Sequence, residues 1–333
     1  MVSKIIDMKK SAIICVASPL QALCAIEAIK HFKIENYRLY VVNDNISLSN
    51  IVEVLGEKNP YEVLPFKTKW FLQLYFMMLC LLPSHGDIDY LIMGDFRLFA
   101  LKFRFLPKLR KNGKIIYVDD GNYLLSLSKG LCQLSLATKV RRFFFSCVTY
   151  VKSINDNNYF TIFYQLINKK GWKLIHNDMD SLSGLVKSSE KAVYIIGTAS
   201  SIYCDTVGIS FDRYKTVLLH VMKTLKKQFP HDVIYYIPHR RDDATWIKDA
   251  CDAIGIKYYK CESCIEIDII RRNVSPIEIL GFSSTALITL KRMFSRINVT
   301  NLYIDGGCNS QGVKEYMSLI DEFIQLGIQT QKI

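Results

Sequence analysis

Residues 11–31 read SAIICVASPLQALCAIEAIKH, and this stretch decides the fold class. Ser11 to Ala17 is an apolar run of strand length. Ser18 and Pro19 follow. A serine at the N-cap accepts a hydrogen bond from the first turn, and a proline at the first helical position already holds a helical φ. From Leu20 to His31 the apolar residues recur at helical spacing. A buried strand running straight into a capped helix is the opening of a βαβ unit. Working outward, Tyr37–Val42, Tyr90–Met93 and Lys114–Val118 read as further strands, with a basic helical segment around Phe96–Lys111. From about Ser126 to Ser189 the alternation lapses. Asn155–Asn158 reads there as a polar turn, and DMDSLSGLVKSS at 178–189 as a linker. The alternation then restarts. Ala192–Ile196, Asp232–Ile237, a short strand after Gly255, Ile277–Phe282 and Asn301–Ile304 are the strands. Phe211–Phe229, Asp242–Ile254, Ser283 to about Ser295 and Val313–Leu326 are the helices. Two successive βαβ series predict an α/β protein of two doubly wound domains, residues 1–185 and 186–333, facing each other across a cleft. The last helix is a candidate to cross back onto the first domain.

Composition narrows the function. Half of the 333 residues are apolar and 22% are charged, which excludes a disordered or collagen-like chain. The ten cysteines are scattered, and the one close pair, Cys261 and Cys264, has no second pair to complete a zinc site. With no secretory leader at the start, the expectation is a reducing, cytoplasmic setting. The apolar run WFLQLYFMMLCLLP at 70–83 is shorter than the roughly 20 residues that span a bilayer. A buried helix is the plainer reading, and a surface helix resting in lipid headgroups beside Lys67 and Lys69 is the alternative. Lys139-Val-Arg-Arg-Phe-Phe-Phe145 is a second basic and aromatic segment. The net charge of +12 favours an anionic membrane face or another polyanion. The alternative of another class is a non-catalytic basic protein that binds nucleic acid or membrane through its charge; against it, lysines and arginines spread along the chain without a helix-turn-helix, zinc-finger or RNA-binding signature.

Ligands of doubly wound sheets bind beyond the carboxyl ends of the strands, and three constellations sit there. Asp119-Asp120-Gly121 follows the strand ending at Val118. Neighbouring carboxylates on a strand face different surroundings, so one can be structural and the other a general base toward a hydroxyl. Pro238-His239-Arg240-Arg241 follows the strand ending at Ile237. Arginine grips phosphate or carboxylate through a planar fork, and a nearby anion keeps an imidazole protonated as an acid must be. Gly281-Phe282-Ser283-Ser284-Thr285 joins a strand to a helix. Hydroxyls at a helix N-terminus, with its unused N–H groups and partial positive charge, suit a phosphate. Gly197 and Thr198 end another strand and are substrate-binding candidates. Asp205, shortly after them, is a reserve base.

Taken in order, these motifs resemble those of bacterial sialyltransferases, in particular the lipooligosaccharide sialyltransferase and α-2,8-polysialyltransferase-like families. Those families carry an acidic-acidic-Gly motif, a His-Pro motif and a Ser-Ser/Thr motif. The opening Ser18-Pro19-Leu20-Gln21 is similar to their start, which adds Ser18 and Gln21 to the substrate-binding candidates. The second motif departs in order: Pro238 precedes His239, and Arg240 follows it. The resemblance implies a GT-B fold, CMP-sialic acid as donor, and inversion at the anomeric carbon with no metal or other cofactor. It implies Asp120 or Asp119 as base and His239 as acid on the departing CMP. Ser283, Ser284 and Thr285 would hold the phosphate, and Arg240 or Arg241 would pair with the phosphate or the sialic acid carboxylate. The implied acceptor is a sugar hydroxyl, of galactose type, on a lipid-linked bacterial surface glycan (O-antigen, capsule or lipooligosaccharide), reached by a cytoplasmic protein peripheral to the inner membrane. A GT-B enzyme acting on another nucleotide sugar is the competing expectation. Asp178-Met179-Asp180 matches the Asp-x-Asp of metal-dependent glycosyltransferases, but it sits in the linker and reads as solvated.

Overall fold

In the first unit, β1 (Ser11–Val16) lies mid-sheet, and the chain winds outward from it in both directions. The structure is a computed structural model. It describes residues 9–43, 61–65, 70–82, 86–94, 98–119, 121, 124–125, 128–130, 134–164, 166, 171–182, 185–187, 190–239, 242, 245–306 and 311–333. After β1 come α1 (Pro19–His31), β2 (Asn36–Asn43), β3 (Tyr61–Pro65), α2 (Trp70–Leu79), β4 (Ile88–Met93) and α3 (Phe99–Phe105). They are followed by β5 (Leu109–Val118), α4 (Leu136–Val151), β6 (Asn155–Thr161) and β7 (Lys173–His176). The seven strands are all parallel, in the order β3-β2-β1-β4-β5-β6-β7. Parallel strands are buried on both faces, which explains the apolar runs of β1 and of the carboxyl halves of β4 (Tyr90–Met93) and β5 (Ile115–Val118).

The second unit repeats the plan. Its elements are β8 (Lys191–Ile196), α5 (Ser200–Val207), α6 (Phe211–Gln228), β9 (Val233–Ile237), α7 (Thr245–Ile254), β10 (Lys257–Tyr258) and α8 (Ile265–Arg272). Then come β11 (Ser275–Gly281), α9 (Ala286–Met293), β12 (Asn298–Tyr303), α10 (Gln311–Gln325) and β13 (Gln329–Lys332). The sheet is parallel, in the order β10-β9-β8-β11-β12-β13. The first strand of this unit is therefore central, and the winding reverses between β8 and β11. Its core gathers Tyr203, Tyr214, Phe282 and Tyr316, with ring centroids 5.5–5.8 Å apart.

By internal packing the first unit comprises 1–120, 132–161 and 167–177, and the second 121–131, 162–166 and 178–333. The sequence-based division stood at 185/186. Four local expectations change. The region from 126 to 189 holds α4, β6 and β7. Asn155–Asn158 opens β6 instead of turning, because the ladder to β5 binds it and buried Asn158 donates its amide to the Ile115 carbonyl at 3.0 Å. The helix expected over 96–111 is only α3 plus one tight turn at Leu106–Lys108, since β5 starts at Leu109. Finally, α2 is not a buried helix: Phe71, Leu74, Tyr75 and Met78 are exposed.

Candidate active site at the carboxyl edge of the second sheet

The last paired residues of three neighbouring strands are in register: Ile196 of β8 pairs with Ile237 of β9 and with Gly281 of β11. The residues that follow therefore leave the sheet at one edge. Gly197-Thr198, Pro238-His239 and Ser283-Ser284 flank the point where the winding reverses, which is where doubly wound sheets bind ligands. Adjacent strands lie about 4.8 Å apart, so the outer two motifs are separated by about 10 Å at their strand ends. A phosphate fits within that span.

Each motif is held by its own device. Gly197 donates its N–H to the Ile237 carbonyl at 2.7 Å. A Cβ there would stand 2.6 Å from the Tyr236 hydroxyl and 2.9 Å from the Ile237 carbonyl, so the close approach of β8 to β9 requires glycine. Half-buried His239 opens a turn closed by the Asp242 N–H donating to its carbonyl at 2.8 Å. Asp242 in turn accepts from the Ser200 hydroxyl at 2.7 Å, anchoring the histidine's loop to the first turn of α5. Arg240 and Arg241 lie outside the described residues.

Ser283 sits in the left-handed region at φ 50°. Its N–H donates to Oδ1 of fully buried Asn301 at 2.8 Å. Buried Phe282 fixes the residue before it. The Ser283 hydroxyl is turned inward and makes no hydrogen bond of normal geometry. It lies beside Tyr316, whose phenol burial pushes up and the neighbouring Ser283 and Tyr203 hydroxyls pull back. Ser284 is different. Its Oγ accepts the Ala286 N–H at 3.3 Å and keeps its own proton to donate. Thr285, the N-cap of α9, makes no side-chain capping bond. Ser284 and Thr285 thus offer hydroxyls to an anion at the positive end of α9, whose last turn carries Lys291 and Arg292 in accord with the dipole.

In the first unit, Asp119 ends β5 fully buried and accepts from the Thr161 hydroxyl at 2.7 Å. That environment suits a positioning carboxylate rather than one meeting a substrate. Asp120 lies outside the described residues, and Gly121 follows at φ 61°. Ser18 caps α1 by accepting from the Gln21 N–H at 3.3 Å. Gln21 is buried and accepts from the Ala17 N–H at 2.6 Å. Both therefore shape the turn between β1 and α1. Asp205 is exposed within α5, past its first turn. Asp178 is engaged by Arg292 and Met179 is buried, so Asp178-Met179-Asp180 is pinned to α9 rather than lying in an open linker. A cavity of about 400 Å³, lined by Ser11, Asn36, Asp87 and Lys108 among others, opens at the amino ends of β1, β2 and β4, the edge of the first sheet opposite to Ser18 and Asp119. Asn301 and Asp242 are the positioning residues the sequence reading missed. A buried Asn inside a strand, a residue type that strands avoid, was the available signal for Asn301.

No family model matches the chain, and no curated protein matches its sequence. Solved structures match its fold. The GT-B domain of a Photobacterium damselae sialyltransferase aligns with TM-score 0.51 and 12% identity over 98% of this chain and 100% of that one. A 2,6-sialyltransferase of Photobacterium sp. JT-ISH-224, in ternary complex with CMP and lactose, aligns with TM-score 0.50 and 10% identity over 97% and 78%. A putative UDP-N-acetylglucosamine 2-epimerase of Listeria monocytogenes aligns with TM-score 0.52 and 11% identity over 96% and 88%. The chain has a GT-B-type fold.

Proposed function

We propose that the chain is an inverting, metal-independent sialyltransferase, moving sialic acid from CMP-sialic acid to a hydroxyl of a galactose-type sugar on a lipid-linked surface glycan. One observation carries the reading. His239, Gly197-Thr198 and Ser284-Thr285 leave three adjacent strands at one edge, at the reversal point of the second sheet, in a chain with the sialyltransferase fold.

In this mechanism the acceptor oxygen forms a bond to the anomeric carbon as the bond from that carbon to the CMP phosphate oxygen breaks. Asp120 takes the hydroxyl proton, and Asp119, locked by Thr161, holds the loop. The reacting carbon becomes cationic while negative charge gathers on the phosphate. Stabilising that departing charge is the main demand on the protein. Ser284, Thr285 and the α9 N-terminus bind the phosphate, and His239 hydrogen-bonds or protonates it. Arg240 or Arg241 pairs with the phosphate or the sugar carboxylate. Gly197 lets the ligand approach backbone, with Thr198 beside it.

The second reading is a GT-B enzyme acting on a uridine nucleotide sugar, favoured by the equal likeness to the Listeria epimerase fold. Calorimetric titration separates the two. We expect CMP to bind and UDP to bind at least tenfold more weakly, with Ser284→Ala weakening CMP about tenfold by loss of a hydrogen bond to a charged group. Preferential UDP binding sinks the sialyltransferase reading.

A further inference from the structure

The first unit exposes an apolar surface that its own fold leaves uncovered. From Trp70 to Leu82 the chain carries no charged residue, yet Met78 and Leu81 are each 68% exposed. On α4 a second stripe, Leu136, Val140, Phe143, Cys147 and Tyr150, recurs at spacings of three and four and is exposed throughout, with Phe143 at 72% and Tyr150 at 85%. The buried residues of α4, Phe145, Val148 and Thr149, lie on another face. The two stretches adjoin. Lys152, which caps α4, donates to the Leu82 carbonyl at 2.9 Å. Phe103 of α3 bridges them from beneath: its carbonyl accepts from the Cys80 thiol at 3.2 Å, and its ring meets Phe144 and Phe145 at 5.8 and 5.5 Å. Monomeric proteins rarely leave so large an apolar surface uncovered.

Charge identifies the occupant. The α4 helix carries Lys139, Arg141 and Arg142 and no acidic residue; exposed Lys139 borders the apolar stripe, while Arg141 lies on the face that Phe145 and Val148 continue. A second copy docking on this face would bring like charges together with no carboxylate on either helix to offset them. No described helix is long and apolar enough to cross a membrane. We infer that α2 and α4 form a docking surface for the headgroup layer of an anionic phospholipid bilayer, with apolar side chains entering the interface and Lys139 at their border meeting lipid phosphates. The inference is independent of the donor and acceptor chemistry.

Flotation of the purified full-length chain with phosphatidylcholine vesicles, with and without phosphatidylglycerol, tests it. The wild-type chain binds the anionic vesicles. Phe143→Ser with Tyr150→Ser weakens binding about a hundredfold, since each buried aromatic contributes a factor of about ten. Lys139→Ala weakens it about fivefold and lowers the preference for anionic over neutral vesicles. All three side chains are exposed, and unchanged thermal melts of both variants verify that folding is intact. Three outcomes overturn the inference. One is no binding of the wild-type chain to anionic vesicles. Another is binding indifferent to the aromatic pair. The third is a concentration-dependent dimer, lost in the aromatic variant, with no vesicle binding.

Discussion

At Ser283 the backbone adopts a left-handed conformation that costs a non-glycine residue about 1–2 kcal/mol. The cost is met by the buried Asn301 carbonyl oxygen, which captures the Ser283 N–H, and by Phe282 packed in the core. The twist turns Ser283 inward and leaves Ser284 to face the edge of the sheet. The two serines should therefore separate in experiment. Ser283→Gly should hold or raise the melting temperature by relieving the strain, while changing CMP affinity by less than about threefold. Ser284→Ala should leave the melt in place and weaken CMP about tenfold. The opposite assignment of effects would show that the hydroxyls have been given the wrong roles. The sequence marks this junction clearly, because hydroxyls at the start of a helix are a local signal. It does not say which serine faces outward, since the handedness at Ser283 is set by a residue 18 positions later. Likewise the paired aspartates are visible as a motif, but it takes the burial of Asp119 and its Thr161 contact to show that this carboxylate is internal.

Between elements, α8 and α9 are pinned by a buried contact, the Thr289 hydroxyl against the Glu266 carboxyl. Burial pushes the Glu266 carboxyl up from the ordinary range, and its hydrogen bonds with Thr289 and nearby groups offset part of that. A protonated Glu266 can donate to Thr289, whose own proton then goes to the Ala286 carbonyl at 3.0 Å. Because the folded-state pKa is raised, the native chain holds this proton more tightly than the unfolded one. The associated stability is complete below the ordinary glutamate range and is lost as pH rises through the folded value. Glu266→Gln keeps the donor and removes the titration. Its melting temperature should gain on the wild type as pH rises above the ordinary glutamate range. A difference constant with pH would mean that Glu266 does not titrate abnormally. Element identity follows sequence closely where strands are apolar, as in β1, β4 and β8. It fails at β6, whose Asn155–Asn158 start is held by pairing to β5, and at β13, a polar edge strand at Gln329–Lys332. Both depend on a neighbouring strand that local propensity does not see.

At the scale of the molecule, the doubled βαβ rhythm is written in the sequence, because apolar strand runs and helical spacing are periodic and local. The exact partition is not. Residues 121–131 and 162–166 belong with the second unit through contacts such as Lys129 to the Ser318 carbonyl and Arg292 to the Ile162 carbonyl, made across more than a hundred residues. The second sheet places His239, Ser284 and Thr285 at one edge, where the proposed mechanism has protein groups alone neutralise a leaving phosphate. The most direct experiment is transfer of labelled sialic acid from CMP-sialic acid to a galactose-terminated acceptor in the presence of EDTA, with the wild-type chain beside His239→Ala. The wild type should turn over undiminished by the chelator. The variant should lose about 10²–10⁴-fold in kcat with CMP affinity little changed. No transfer by the wild type, strict dependence on a divalent cation, or full kcat in His239→Ala would contradict a metal-independent transfer in which His239 assists the departing cytidylate.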